Sequence, residues 1–384
     1  MRRHSNRDGA LDHDYVNEYE HEYDYVVALN YYSPHISGLS DMAKRVSEEM
    51  VKEGLKVCVV CQRHDKSLMK FETINGVDVV RASVIMRVAN GLISASFPVL
   101  VYRYSKRTRL LHLHLPMLEA GLLSLIPTTS KLVTYHCDFV SQKSLLGRII
   151  EVVMDMSCRL SLRRSITSVV SSRDYADNSR IKSSLVSSVA IAPPVQIRQP
   201  SKPSFRKSLG YHYGFLGRIA PEKGLENLVN AFISMARADD RLLIAGTAVS
   251  SEGQEIYKKL QVSSAQDPRI GLLGFVPETD VADFYASIDA FVFPSINALE
   301  AFGIAQAEAK ALGIPLVTSD LPGVRTVVDS PETGVLVKPD DVTALKIGME
   351  NVRKLTRKSP QANSISGSIS SLQKYQELIL ELLK

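Results

Sequence analysis

Phe293-Pro294-Ser295-Ile296-Asn297-Ala298-Leu299-Glu300-Ala301-Phe302-Gly303-Ile304-Ala305-Gln306-Ala307-Glu308 is the stretch around which the rest of the chain is read. Ala290 to Phe293 is a short apolar run of the kind that forms a buried strand, and Pro294-Ser295 turns the chain. Behind Gly303, strong helix formers run from Ile304 to Leu312. The order is strand, loop, helix.

In an open α/β sheet, ligands bind outside the carboxyl ends of the strands, where helix amino termini offer unpaired N–H groups to anions. A carboxylate in such a loop therefore needs explaining. Glu300 stands among those donors, and Glu308 lies at most ~12 Å further along a helix rising 1.5 Å per residue. Two carboxylates so spaced address two ends of an elongated ligand. Glutamate is also ordinary in helix first turns and interiors, so the pair takes its meaning from its neighbours.

Working outward, His212 to Leu216 reads as a strand leading into Gly217-Arg218-Ile219-Ala220-Pro221-Glu222-Lys223-Gly224 and a helix from Leu225. Glycines bracket the loop, and Arg218 and Lys223 bring fixed cations to a helix start, which predicts a diphosphate site. Further strands are expected at Arg241 to Gly246, Ile270 to Gly274, Pro315 to Ser319 and Gly334 to Val337, and a last helix over Leu372 to Leu383.

The first half has the same grammar. Tyr25 to Asn30, a loop ending at Gly38, a helical pattern through Leu39, Ala43, Val46 and Met50, and Lys56 to Val60 make an opening βαβ unit. Gly38 lets backbone approach a ligand at the helix start. Neither a GxGxxG fingerprint nor an acidic end to the second strand is present, which disfavours a nicotinamide-dependent oxidoreductase. Leu110 to His114 and Leu132 to Tyr135 end in His114-Leu115-Pro116 and His136-Cys137-Asp138, so two histidines occupy equivalent places facing a cleft.

A chain of 384 residues suits two domains, and 45% hydrophobic with 23% charged residues excludes a disordered protein. The expected division is a mobile tail over 1–24, a first domain over 25–196, a Pro-containing linker over 197–210, a second domain over 211–366, and a terminal helix over 367–384 that packs back on the first domain. A net charge of +5 does not call for nucleic acid. Six basic and no acidic residues lie between Arg81 and Pro116, a solvated face or, alternatively, a peripheral contact with anionic membrane. A long helix over Ser144 to Leu162 with basic edges is read as core-packed, with an interfacial membrane contact as the sharper alternative. Four cysteines form no disulfide framework, the Cys58/Cys61 pair reads as strand rather than zinc site, and Asp12-His13-Asp14 lies in the tail. The apolar run Val88 to Tyr102 is too short to span a bilayer, so the expected location is cytoplasmic, with the inner membrane face as the peripheral alternative.

The residues from Tyr25 onward resemble the retaining glycosyltransferases of family four, which have the GT-B fold of two Rossmann-like doubly wound domains facing across a cleft. The resemblance rests on Gly217-Arg218 with Glu222-Lys223-Gly224, on Gly274-Phe275-Val276-Pro277, and on Glu300 and Glu308 with Phe302-Gly303 between them. Thr134-Tyr135-His136-Cys137-Asp138-Phe139-Val140 is similar to the mannosyltransferase-like branch. Ala192-Pro193-Pro194-Val195 departs from the family's usual Pro-Asn-Gly-Val-Asp, which puts the interdomain hinge in question.

What the resemblance implies is transfer of a hexose, with retention, from a nucleoside-diphosphate sugar to a glycan or lipid-linked acceptor, without a metal or other cofactor. Arg218 and Lys223 would stabilise the leaving diphosphate, Glu308 the ribose, and Glu300 the sugar hydroxyls. Phe302, Gly303 and Ile304 would present helix N–H groups, Gly38 and Gly217 would lie against the donor, and Phe275 and Val276 would line the base pocket. His114 would lie near the donor sugar, with His136 and Asp138 on the acceptor side. The alternative is a catalytically silent GT-B-like binding or scaffold protein.

Overall fold

The computed structural model describes residues 23–35, 37–88, 91–127, 130–140, 145–196, 198–199, 201–297, 299–358 and 362–384. The tail expected at the amino terminus, with Asp12 and Asp14, lies outside them up to residue 22, and Tyr23 and Asp24 already belong to the first strand.

The first half runs β1 (Tyr23–Ala28), α1 (Gly38–Lys52), β2 (Val57–Gln62), β3 (Phe71–Ile74), β4 (Val77–Ala82), β5 (Met86–Val88), β6 (Gly91–Ile93), α2 (Ser96–Ser105), β7 (Thr108–Leu115), α3 (Ala120–Ser124), β8 (Ser130–Tyr135), α4 (Leu145–Arg164), β9 (Thr167–Val170), α5 (Arg173–Asn178) and β10 (Val189–Ala190). Its main sheet has the order β10-β9-β8-β7-β1-β2-β4-β3. Every pairing is parallel except β3 with β4, a hairpin turning at Asn75-Gly76 with φ of 50° and 83°. An Asn-Gly pair tolerates that left-handed turn at little cost.

The second half runs β11 (His212–Leu216), α6 (Leu225–Met235), β12 (Arg241–Ala245), α7 (Ser251–Gln266), β13 (Ile270–Gly274), α8 (Val281–Ala286), β14 (Ala290–Phe293), α9 (Ile304–Ala311), β15 (Leu316–Ser319), β16 (Gly334–Val337), α10 (Val342–Val352) and α11 (Ala362–Leu382). Its sheet, β13-β12-β11-β14-β15-β16, is parallel throughout. That order reverses direction between β11 and β14, and the crevice at such a reversal is where doubly wound sheets bind nucleotides.

Helical spacing buries Met42, Ala43, Val46 and Met50 of α1, and Tyr375, Ile379 and Leu383 join the same apolar cluster, so α11 packs on the first domain. Ser37 and Ser40 form a capping box at the start of α1. The opposite face of the first sheet is covered by α2 to α5. Cys58 and Cys61 lie on opposite faces of β2, as a spacing of three dictates in a strand.

The basic run does not form one surface. Arg81 is buried, paired with Glu72 and donating to the Ser33 carbonyl at 2.7 Å, and Arg109 donates to the Leu383 carbonyl just past the terminal helix. Arg103, Lys106 and Arg107 are exposed at the end of α2. Among the described residues no helix is long and apolar enough to cross a membrane.

Candidate functional site

Three loops meet at the reversal in the second sheet. The loop after β11 is tied to the loop after β14 by the Ile296 N–H donating to the Glu222 carbonyl at 2.9 Å. Gly224 has φ of 63°, and a Cβ there would meet the Pro294 carbonyl oxygen at 2.2 Å, so glycine alone permits both the turn and the approach. Gly217 donates to the Ala245 carbonyl at 3.0 Å, and a side chain on Gly246 would collide with the Gly217 carbonyl.

This frame brings Lys223 onto Glu300 in an ion pair whose side chains are only 13% and 16% exposed. The ammonium also lies 5.3 Å from the centre of the Phe293 ring. Arg218 stands beside them, half-exposed, with Glu222 at 3.4 Å. Gly303, at φ of 85°, starts α9 without any side-chain cap and packs against Phe293. The turn before α9 is fixed by fully buried Gln306, which donates to the Phe302 and Val324 carbonyls and accepts from Thr318 at 2.9 Å.

Glu308 lies deeper, 5% exposed. Its carboxylate accepts from the Tyr285 hydroxyl at 3.1 Å, from Arg198 Nε at 3.2 Å and from the Gln196 N–H at 3.3 Å. Burial pushes its carboxyl above the usual range, and Arg198 and the hydrogen bonds counter only part of that. Val276 is buried in the core of the second domain, whereas Phe275 is 60% exposed at the rim.

The first domain supplies a wall of imidazoles. His114 Nδ1 is hydrogen-bonded to His136 Nε2 at 2.9 Å, and His112 bonds the Tyr25 hydroxyl at 2.5 Å and Thr134 at 2.8 Å. Burial pulls His112 down to about 3, with a small further push from His136, and His136 down to about 4. His114 is held well below its ordinary value by burial and by its two neighbours. All three are neutral near pH 7. Asp138 is buried, its carboxylate accepting from Tyr135 at 2.5 Å, Ser179 at 2.6 Å and the Arg180 N–H at 3.1 Å. That carboxylate holds the β8 and α5 loops together.

The two walls face one another. Cys137, after β8, feels Glu300 and Arg218 across the cleft, although burial is what chiefly raises its thiol. Ala301 packs into the first domain's apolar cluster, and Ser171 Oγ donates to its carbonyl at 3.2 Å. A Cβ on Gly38 would lie 3.3 Å from Ile304, so the starts of α1 and α9 meet. Among the described residues no group of three or more His, Cys, Asp or Glu side chains is arranged to hold a metal ion.

Residues 202–367 match the family described as glycosyl transferases group 1.

The chain is similar to D-inositol 3-phosphate glycosyltransferase of Corynebacterium efficiens, 33% identical over 132 residues that cover 33% of this chain and 31% of the relative. It is similar also to the lipopolysaccharide core biosynthesis mannosyltransferase LpsB of Rhizobium meliloti, 30% identical over 34% of this chain and 38% of the relative. The matched region thus spans about a third of the length of these relatives. The fold extends the likeness to nearly the whole chain. Anabaena Alr3699/HepE, solved in complex with UDP and glucose, superposes with a TM-score of 0.68 at 15% identity, covering 94% of this chain and 100% of that one. The architecture is GT-B.

Within the second domain, the sequence placed Lys223, Glu300 and Glu308 at the crevice but gave no sign of Arg198 or Tyr285, which hold Glu308. Arg198 comes from the linker, and no local pattern ties it to a carboxylate on α9. His112 was readable. It precedes His114 by two residues on one strand, and that spacing puts both rings on one face.

Proposed function

We propose that this protein is a retaining glycosyltransferase that moves a hexose from a nucleoside-diphosphate sugar to a glycan or lipid-linked acceptor. The observation that carries this reading is the Lys223–Glu300 pair at the sheet reversal, with Arg218 beside it and Glu308 one turn into α9. A diphosphate seated there meets two cations and the uncapped start of a helix, where negative charge growing on the leaving oxygen is best stabilised. These cations perform the task often given to a divalent metal, so the reaction we propose needs none.

Glu308 anchors the ribose and Glu300 the transferred sugar, with Phe275 and Val276 at the base. Attack occurs on the face the diphosphate leaves. The acceptor oxygen bonds to the anomeric carbon as the bond to the diphosphate oxygen breaks, and that oxygen takes the acceptor's proton. Configuration is retained without a carboxylate nucleophile, unlike the glycosidase pattern. His114 and His136, neutral and packed together, face the sugar and the acceptor.

For the acceptor we favour a lipid-linked glycan at a cytoplasmic anionic membrane surface. The support is the outer face of α3 and α4, where Leu122, Leu145, Leu146, Ile149, Val152 and Met156 are all more than half exposed. Arg148 is exposed on the same helix as the last five, and a pairing of apolar and basic groups suits anionic headgroups.

The test begins with a thermal-shift panel of UDP-, GDP- and ADP-hexoses, since a ligand of the folded state raises its stability. The stabilising donor is then followed for transfer or hydrolysis. Binding with neither would identify a silent binding protein, and no binding by any donor would remove the reading.

A further inference from the structure

Glu308 has no visible room for a ribose. A carboxylate offers about four acceptor positions, and here the Gln196 N–H, Arg198 Nε and Nη2, and the Tyr285 hydroxyl all converge on its two oxygens. A ribose diol must bring two more donors to the same group. One of the present occupants has to leave.

Arg198 is the one built to do so. Tyr285 is fixed inside the second domain, its one hydroxyl proton shared between Glu308 and the Ala305 carbonyl at 2.9 Å, and Gln196 engages through its main chain. Arg198 reaches in from the linker on a long flexible stem, its side chain only 8% exposed. Its other arm, Nη1, meets Glu278 at 2.8 Å. Glu278 follows directly on Phe275, Val276 and Pro277, so the guanidinium bridges the proposed ribose anchor and the rim of the proposed base pocket. A nucleoside joining those two places would cross the position the guanidinium now fills.

We infer that Arg198 is a linker latch, a counter-ion that occupies the nucleoside position of the empty site and is displaced from Glu308 when the donor binds. This rests on the donor site proposed above. The consequence runs against simple electrostatics. A nucleoside diphosphate is an anion, so deleting a nearby cation should weaken its binding, whereas deleting a latch raises the fraction of competent molecules and tightens it. The second domain's donor site would thereby be coupled to the hinge, because the latch belongs to the linker and its neighbour Gln196 is held by Arg45 of α1 at 2.7 Å.

The test is calorimetric titration of UDP, GDP and ADP into the full chain and its Arg198→Gln and Glu278→Gln variants, with inorganic pyrophosphate as the ribose-free probe. The expected result is that Arg198→Gln binds the preferred nucleotide about tenfold tighter, as for a site otherwise open in roughly one molecule in ten. Pyrophosphate, which would seat on Arg218 and Lys223 without reaching Glu308, should change less than about twofold. Glu278→Gln removes only the outer tether, from a carboxylate that is 65% exposed, and should give a smaller gain of the same sign. It carries the test should Arg198→Gln fold poorly. Equal or weaker nucleotide binding in the folded variants overturns the latch while wild-type binding leaves the donor site standing. If no nucleotide binds wild type or variants, the donor site falls and the latch with it.

Discussion

On the second-domain wall of the cleft Lys223 meets Glu300 and Arg198 meets Glu308, each ion pair largely closed to water, whereas the first-domain wall at the same level is a set of imidazoles that burial keeps neutral. Both walls stand at the carboxyl ends of parallel strands, so topology does not separate them. The difference is chemical. Fixed charge belongs where a diphosphate is to be held, because an anion must find cations already in place. A neutral wall can lie against sugar hydroxyls without a counter-ion, and its histidines carry no positive charge at pH 7.

The strongest way to break this contrast is Lys223→Ala. Losing one preorganised group at a developing negative charge costs about a hundredfold or more in turnover. The expected outcome is that loss in kcat for the best donor, with circular dichroism and melting temperature unchanged. Near-normal turnover would show that charge on this wall is structural. Glu308→Ala should act differently, raising KM by about tenfold, the worth of one or two hydrogen bonds, with a smaller effect on kcat. A loss confined to kcat would move Glu308 from anchor to chemistry.

The neutral wall is sharpened by pH. A histidine whose folded pKa lies below its unfolded value near 6.5 binds fewer protons when folded, so its stabilising effect is complete above that value and is lost as pH falls toward the folded pKa. His136 and His112, drawn down to about 4 and about 3, therefore predict a melting temperature that is flat above pH 7 and declines from about pH 6.5 toward 4. His136→Asn should flatten the decline, and turnover of the wild type should show no inflection between about pH 6.5 and 8. A melting temperature level through this range would mean that these rings accept protons in the folded state.

The sequence made one wall easier to read than the other. β11 and β14 fall where their apolar runs place them, and the Glu300 and Glu308 spacing survives because a loop and the helix it feeds are contiguous in the chain. Asp138 sits at a strand end like a site residue, but its partners Ser179 and Arg180 come from a later loop, and only the fold reveals that they share its carboxylate. Arg81 counts as surface charge until the β3–β4 hairpin brings Glu72 beside it. That hairpin had its own signal in Asn75-Gly76, whereas the hold of Arg198 on Glu308 had none. Pairings across long sequence separations are decided by the completed sheets.

The smallest expected effect lies where the walls are fastened. Asp174 of α5 accepts from the Gly323 N–H at 2.8 Å and from Arg325 at 2.7 and 3.0 Å, joining the two domains away from the charged pairs. The side chains are 34% and 26% exposed, so solvent screens the ion pair and its worth is about 1 kcal/mol or less. Asp174→Ala should therefore shift the melting temperature by no more than a few degrees and raise KM by less than about threefold, since about 1.4 kcal/mol is needed for a tenfold change. Steady-state kinetics with the preferred donor is the check. Should kcat/KM fall as far as in Lys223→Ala, fastening the domains would matter as much as the charge between them, and the contrast between the walls would no longer account for where the activity resides.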